Sequence, residues 1–218
     1  MKRLLAFGCS NTQGHGLPGF SWKQHSRTAS TLAWPQFLSD RLDRTCDNQG
    51  YTGASNKLIA DFIVNQDYKQ DDLVVVLWTS FTRSHVFMDN GKKMRLLPSD
   101  CEKSARDSQG WEYNPKITKL FYRHFYAERD FFRDNLVEIN FAKQYLDSIH
   151  IENYHFCWDP DDDGEAKLMP HWNRTDLRFV EFDPTLGLAA DHEHPSSAAH
   201  EQMAEHMLTE ISKKRNSS

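Results

Sequence analysis

No stretch of this chain is apolar over anything near the ~18 residues that a membrane-spanning helix needs. A basic excess is missing too. Twenty-six Lys and Arg stand against 31 Asp and Glu, a formal net charge of −5, which argues against the basic stripe of a nucleic-acid binder. No two cysteines are spaced C-x-x-C. The four, Cys9, Cys46, Cys101 and Cys157, are scattered, which removes zinc-ribbon and thioredoxin-type motifs. A chain of 218 residues buries enough apolar surface to stand without disulfides, so free thiols in a reducing compartment are expected. The apolar stretch near the start, Leu4 to Phe7, is shorter than the ~7–15 residues of a secretory leader's core. These absences predict a cytoplasmic globular protein, and the length suits one domain over 1–218.

What is present alternates between strand and helix. Leu4 to Phe7 reads as a buried strand ending at Gly8, and a polar loop runs from Ser10 to about Thr31. Trp34 to Leu42 has helical spacing with Pro35 near its start. Thr45 to Asn48 forms a short strand, and Ser55 caps a helix over Lys57 to Asn65. Leu73 to Trp78 is apolar at every position, as a strand covered on both faces should be. Residues 84–115 form a polar insertion with a hairpin at Asn90-Gly91. Lys116 to Ser148 is helical and broken once. His155 to Trp158 and Arg178 to Phe182 are further strands. Pro195 to Lys214 is an amphipathic helix with Ala199, Met203, His206, Met207 and Ile211 on one side. The alternation predicts a parallel sheet between helices, with any ligand beyond the carboxyl ends of the strands.

Two stretches carry chemistry. Gly8-Cys9-Ser10 follows the first strand on a tight turn, and Asp191-His192-Glu193-His194-Pro195 precedes the last helix. A serine hydroxyl is a weak nucleophile until an imidazole takes its proton, and an imidazole needs a carboxylate to fix its tautomer. Ser10, His194 and Asp191 supply that set.

In these blocks the chain resembles a divergent branch of the GDSL, or SGNH, hydrolase superfamily. Gly8-Cys9-Ser10 stands where the family has Gly-Asp-Ser. Asn48-Gln49-Gly50-Tyr51-Thr52-Gly53 matches its glycine-bearing second block, and Asp191 to Pro195 its Asp-x-x-His-Pro block. The resemblance implies a three-layer α/β/α sandwich around a parallel, flavodoxin-like sheet of about five strands. It implies a serine esterase without cofactor, acting on small-molecule or glycan esters, O-acetyl groups included, through Ser10, His194 and Asp191. The backbone N–H groups of Ser10 and Gly53 would form the oxyanion hole. The family's third block, Gly-x-Asn-Asp, departs: Trp78-Thr79-Ser80-Phe81-Thr82-Arg83 holds no asparagine. Asn56, Ser80 or Arg83 is each able to substitute as the missing donor. That gap also keeps open a non-catalytic glycan-binding module and an O-acyltransferase using the same triad.

Other residues have plainer readings. Trp22 and Trp111, in loops, and Arg83 are candidate substrate contacts, while regularly spaced aromatics in 121–132 suit a core. Cys9 reads as a buried thiol pointing away from Ser10. His192 and His200 read as solvated surface histidines, and no zinc helix spacing is present, so no metal is expected. Asp159 to Gly164 imitates the start of a calcium loop, but Pro170 stands where the bidentate glutamate belongs. Asn173-Arg174-Thr175 is an idle sequon in this reading.

Overall fold

The computed structural model describes residues 2–21, 28–102, 114–158, 177–180 and 183–217. In chain order the elements are β1 (Arg3–Gly8), α1 (Ser10–Gln13), α2 (Trp34–Arg41), β2 (Thr45–Asn48), α3 (Asn56–Val64) and β3 (Leu73–Leu77). Then come β4 (Ser84–Phe87), β5 (Lys93–Leu96), α4 (Pro115–His124), α5 (Glu128–Ser148), β6 (Glu152–Trp158), β7 (Arg178–Val180) and α6 (Ser197–Ser217). The main sheet runs β2-β1-β3-β6-β7, and every pairing in it is parallel. That is the flavodoxin-like order expected. Trp22, Trp111, the acidic stretch at 159–164 and the sequon at 173–175 lie outside the described residues.

Side-chain alternation builds the layers. Leu5, Phe7, Val74 and Val76 face α3 and α5, whereas Leu4, Ala6, Leu73, Val75 and Leu77 face α2 and α6. Both sets are buried, so β1 and β3 must be apolar at consecutive positions. Each such Leu, Val or Phe contributes roughly 1.5–3 kcal/mol by leaving water. Ser55 caps α3 as expected, its hydroxyl accepting the Leu58 N–H at 3.3 Å.

Three local expectations need correction. The stretch after Gly8 begins with a short helix, because the Cys9 carbonyl accepts the N–H groups of Thr12 and Gln13, and Gly14 at φ 80° ends it. His200 is fully buried, and its Nδ1 accepts the backbone N–H of Trp34 at 3.2 Å. It therefore serves the start of α2, whose first N–H groups have no acceptor within their own helix. His206 is exposed: Ala199, Met203, Met207 and Ile211 form the buried stripe, and His206 lies about 80° around the helix from its centre.

The insertion is a real hairpin. β4 and β5 pair antiparallel with His85 opposite Arg95, and Gly91 at φ 76° makes the turn. The Tyr122 hydroxyl of α4 lies between the carbonyls of Thr82 (2.6 Å) and Leu96 (2.8 Å), tying the hairpin to the loop after β3. Among the described residues no helix is long and apolar enough to cross a membrane.

Candidate active site

Asp191 is the hinge of the C-terminal block. Its Oδ1 accepts the backbone N–H groups of Glu193 and His194, both at 3.0 Å, and its Oδ2 bonds His194 Nδ1 at 2.7 Å. The loop closes on itself through Ala189 N–H to the His194 carbonyl at 2.7 Å. Burial alone would raise the Asp191 carboxyl. The backbone N–H groups of His194 and Glu193, with the His194 ring, outweigh it and hold the group at about 2. Asp191 is thus an anion at neutral pH and accepts a hydrogen bond from Nδ1–H, which leaves Nε2 of the neutral imidazole as the basic nitrogen.

Ser10 opens α1 and is only 5% exposed. At the first helical position its N–H has no intrahelical acceptor. Its hydroxyl lies 3.9 Å from Cys9 Sγ, so the thiol contacts Ser10, which corrects the expectation that it points away. Burial pushes the Cys9 thiol up, but the Arg83 charge and donors from Thr79, Asn11 and Ser10 bring it below the ordinary thiol value.

The two ends of the chain meet through residues that follow Ser10. The His15 N–H donates to the Ser10 carbonyl at 3.0 Å. The His15 ring stacks on His194, centroids 4.6 Å apart and planes 11° apart, and its Nε2 is 3.8 Å from Asp191 Oδ2. Gly16 follows at φ 80°, and its carbonyl accepts the Ala190 N–H at 3.3 Å. A Cβ on Gly16 would lie 2.5–2.8 Å from the Asp191 carboxylate, so glycine is required for the two loops to touch.

The other candidates sit in the segments after β2 and β3. Gly53 is buried at φ 80°, and its N–H finds no acceptor among the described residues. A Cβ there would meet Arg95 Nη1 at 2.9 Å and Cδ at 3.0 Å. Arg95 crosses this bare backbone while its Nε donates to the buried Asp100 at 2.8 Å. Asn56 is fully buried, and both of its amide hydrogens are engaged, with the Thr79 carbonyl (3.1 Å) and Asn135 Oδ1 (2.8 Å). Its Oδ1 accepts the Thr79 N–H at 2.8 Å, so Asn56 anchors the loop after β3 and has no hydrogen left for an oxyanion. Ser80 Oγ pairs with Thr82 Oγ1 at 2.9 Å. The Arg83 side chain makes no ion pair among the described residues. Sequence reasoning missed His15 and Arg95. His15 had a signal, a histidine between two glycines one turn past Ser10, whereas Arg95 is brought in by hairpin register alone.

His15, Asp191 and His194 have donor atoms within 4.8 Å of one another. Their geometry suits hydrogen bonding more than metal binding. Near-parallel stacked rings send their in-plane lone pairs past one another, and His194 Nδ1 already serves Asp191.

No family model matches the chain, and no curated protein matches it. Solved structures do. One is a carbohydrate esterase whose active site displays divergent catalytic and non-catalytic binding functions, with TM-score 0.54 and 14% identity over 97% of this chain. Another is an acetyl xylan esterase from Butyrivibrio proteoclasticus, with TM-score 0.54 and 11% identity over 99% of this chain. This chain spans 65% and 64% of those two chains. A protein assigned to the G-D-S-L lipolytic family, from Desulfitobacterium hafniense, matches with TM-score 0.50 and 14% identity over 94% of this chain and 97% of its own. By these likenesses and its own five-stranded parallel sheet, the chain has the three-layer α/β/α fold of the GDSL, or SGNH, esterases.

Proposed function

We propose that the protein is a serine esterase acting on small acyl esters, O-acetyl groups on glycans among them. The reading is carried by one observation: the Asp191–His194 pair is packed directly on the segment that starts at Ser10. In this reading Ser10 Oγ attacks the ester carbonyl while His194 Nε2 takes its proton. The tetrahedral oxyanion is met by the backbone N–H groups of Ser10 and Gly53, neither of which has an acceptor among the described residues. His194 returns the proton to the leaving alcohol, leaving an acyl group on Ser10. Water, deprotonated by the same nitrogen, then releases the acid and restores the serine. Asp191 stays ionised throughout and holds the ring in its working tautomer.

The third donor of the oxyanion hole is supplied by Ser80, Arg83 or Arg95. Substrate recognition falls to Arg83, with Trp22 and Trp111 as further candidate contacts. The preference for glycan acetyl esters is supported by the two neighbours described as carbohydrate and acetyl xylan esterases.

Labelling with a fluorophosphonate, alongside turnover of p-nitrophenyl acetate, tests the reading. Wild-type protein should label and turn over, and Ser10→Ala should do neither. Equal labelling in both would remove Ser10 from the chemistry. A second reading, a glycan-binding module without turnover, is favoured by the missing third-block asparagine. It predicts binding of acetylated xylan oligosaccharides by a protein that neither labels nor releases acetate.

A further inference from the structure

Hydrogen-bond direction around His15 can be worked out from fixed donors. The Thr52 backbone N–H can only donate, and it donates to Gln13 Oε1 at 2.9 Å. That settles which end of the Gln13 amide faces Thr52. The Thr52 hydroxyl, 2.8 Å from the same oxygen, must donate to it as well. Having spent its hydrogen, Thr52 Oγ1 can only accept from His15 Nδ1, 3.3 Å away. His15 therefore carries its hydrogen on Nδ1. In the neutral ring Nε2 carries no hydrogen, and it lies 3.8 Å from Asp191 Oδ2. The ring is also held on both faces, by Phe20 at 4.6 Å and 27° and by His194 at 4.6 Å and 11°.

We propose that His15 is a positioning residue for the His194–Asp191 pair: its neutral ring fixes the plane of His194, and its protonation competes for the carboxylate oxygen that orients the base. The proposal rests on the esterase reading for its effect on turnover and on the geometry alone for its effect on the pair. A neutral His15 offers Asp191 Oδ2 no hydrogen, so that oxygen belongs to His194. A protonated His15 presents Nε2–H to the same oxygen and sets a second cation against the face of any imidazolium formed on His194 during turnover. Among the described residues, the titratable groups acting on His15 are on the facing loop: His194, Asp191 and Glu193. Burial, then His194, hold His15 below the ordinary imidazole value against the pull of the two carboxylates, so the ring is neutral at pH 7 and charges only in acid.

Two variants separate stacking from titration. His15→Ala removes both, and His15→Phe keeps an aromatic face with no proton to gain. Turnover of p-nitrophenyl acetate by His15→Ala should fall about 10- to 100-fold in kcat with KM little changed, since a misoriented base costs that much. His15→Phe should recover most of the loss at pH 7. The acid limb of kcat/KM should fall more steeply than one proton allows in wild type and as a single proton in His15→Phe. A readout independent of activity is the low-field proton resonance of the His194 Nδ1–H to Asp191 hydrogen bond. It should follow one protonation step in His15→Phe as the pH falls, but broaden further in wild type as His15 charges. Wild-type kcat and an identical acid limb in both variants would overturn the proposal. An inactive wild type would instead count against the esterase reading, and the proton resonance would still decide for or against His15. A resonance that behaves alike in wild type and His15→Phe at every pH refutes the competition for Asp191.

Discussion

The base side and the oxyanion side of the candidate site are built in different ways. On the base side, contacts run between residues 15–16 and 190–194, and the decisive ones are local. Asp191 organises its own next three residues, and Gly16 leaves room for it. On the oxyanion side, Gly53, the loop after β3 and Arg95 come from three separate segments. Buried amides of Asn56 and Asn135 and the Arg95–Asp100 pair hold them in register. A proton relay that needs one carboxylate and one imidazole can be written into four residues. A cradle for an oxyanion needs donors from several strands aimed at one point, so it can change its parts while the relay stays.

Breaking the relay should cost most. Asp191→Asn should lower kcat about 10³- to 10⁴-fold, since the amide favours the wrong tautomer. Fold and KM should be little changed, because the side-chain oxygen still accepts the two loop N–H groups. Steady-state kinetics with p-nitrophenyl acetate, beside a circular dichroism melt, checks this, and a drop under tenfold would contradict the relay.

Gly53→Ala comes next, with about 10²-fold lost in kcat. It combines a strained φ with a Cβ against Arg95. The double variant Gly53→Ala/Arg95→Ala sharpens the comparison. Recovery of activity would show that displaced Arg95 caused the loss, and no recovery would assign it to the Gly53 backbone.

The fold itself should be acid-labile on both sides of the sheet. Burial depresses His85 to about 3, with Arg95, Lys93, Lys57 and Arg83 adding to it. Burial likewise takes His155 to about 3 and His200 to about 4. A histidine whose folded value lies below its unfolded one binds more protons when unfolded, so stability falls as pH drops below about 6.5. Urea titrations should show about 3 kcal/mol or more lost between pH 7 and pH 4. Asp191 acts lower still: its contribution is present above the ordinary carboxylate range and disappears as pH falls towards about 2.

The smallest effect expected is that of Asn135→Ala, about 1–3 kcal/mol of stability, because the Phe81 carbonyl and one Asn56 hydrogen lose their partner. If the oxyanion side depends on these amides, kcat should fall in the same variant while Asp191–His194 chemistry, read by the Nδ1 proton resonance, is unchanged.

Much of the architecture was legible because it rests on period. Leu73 to Leu77 is apolar throughout and forms a central strand, and the Asn90-Gly91 pair does turn a hairpin. Local chemistry was legible as well, as Ser55 and the Asp191 turn show. Other details leave no such mark. Histidine is polar on average, and nothing near residue 200 announces that its ring nitrogen accepts a helix N–H from residue 34. Strand alternation breaks down where β1 gives way to α1, so it does not say where Cys9 points. Asn56 stands close to Gly53 in sequence, but its hydrogens are spent on Thr79 and Asn135.

Sequence alone determined the order of the main strands and the local Asp191–His194 hydrogen-bonded pair, because each depends on residues within a few positions of one another. Only the tertiary structure decided that His15 lies against His194 and that Arg95 lies across Gly53. Such contacts depend on how two loops cross and on the register of a hairpin, and neither leaves a periodic or short-range mark in the chain.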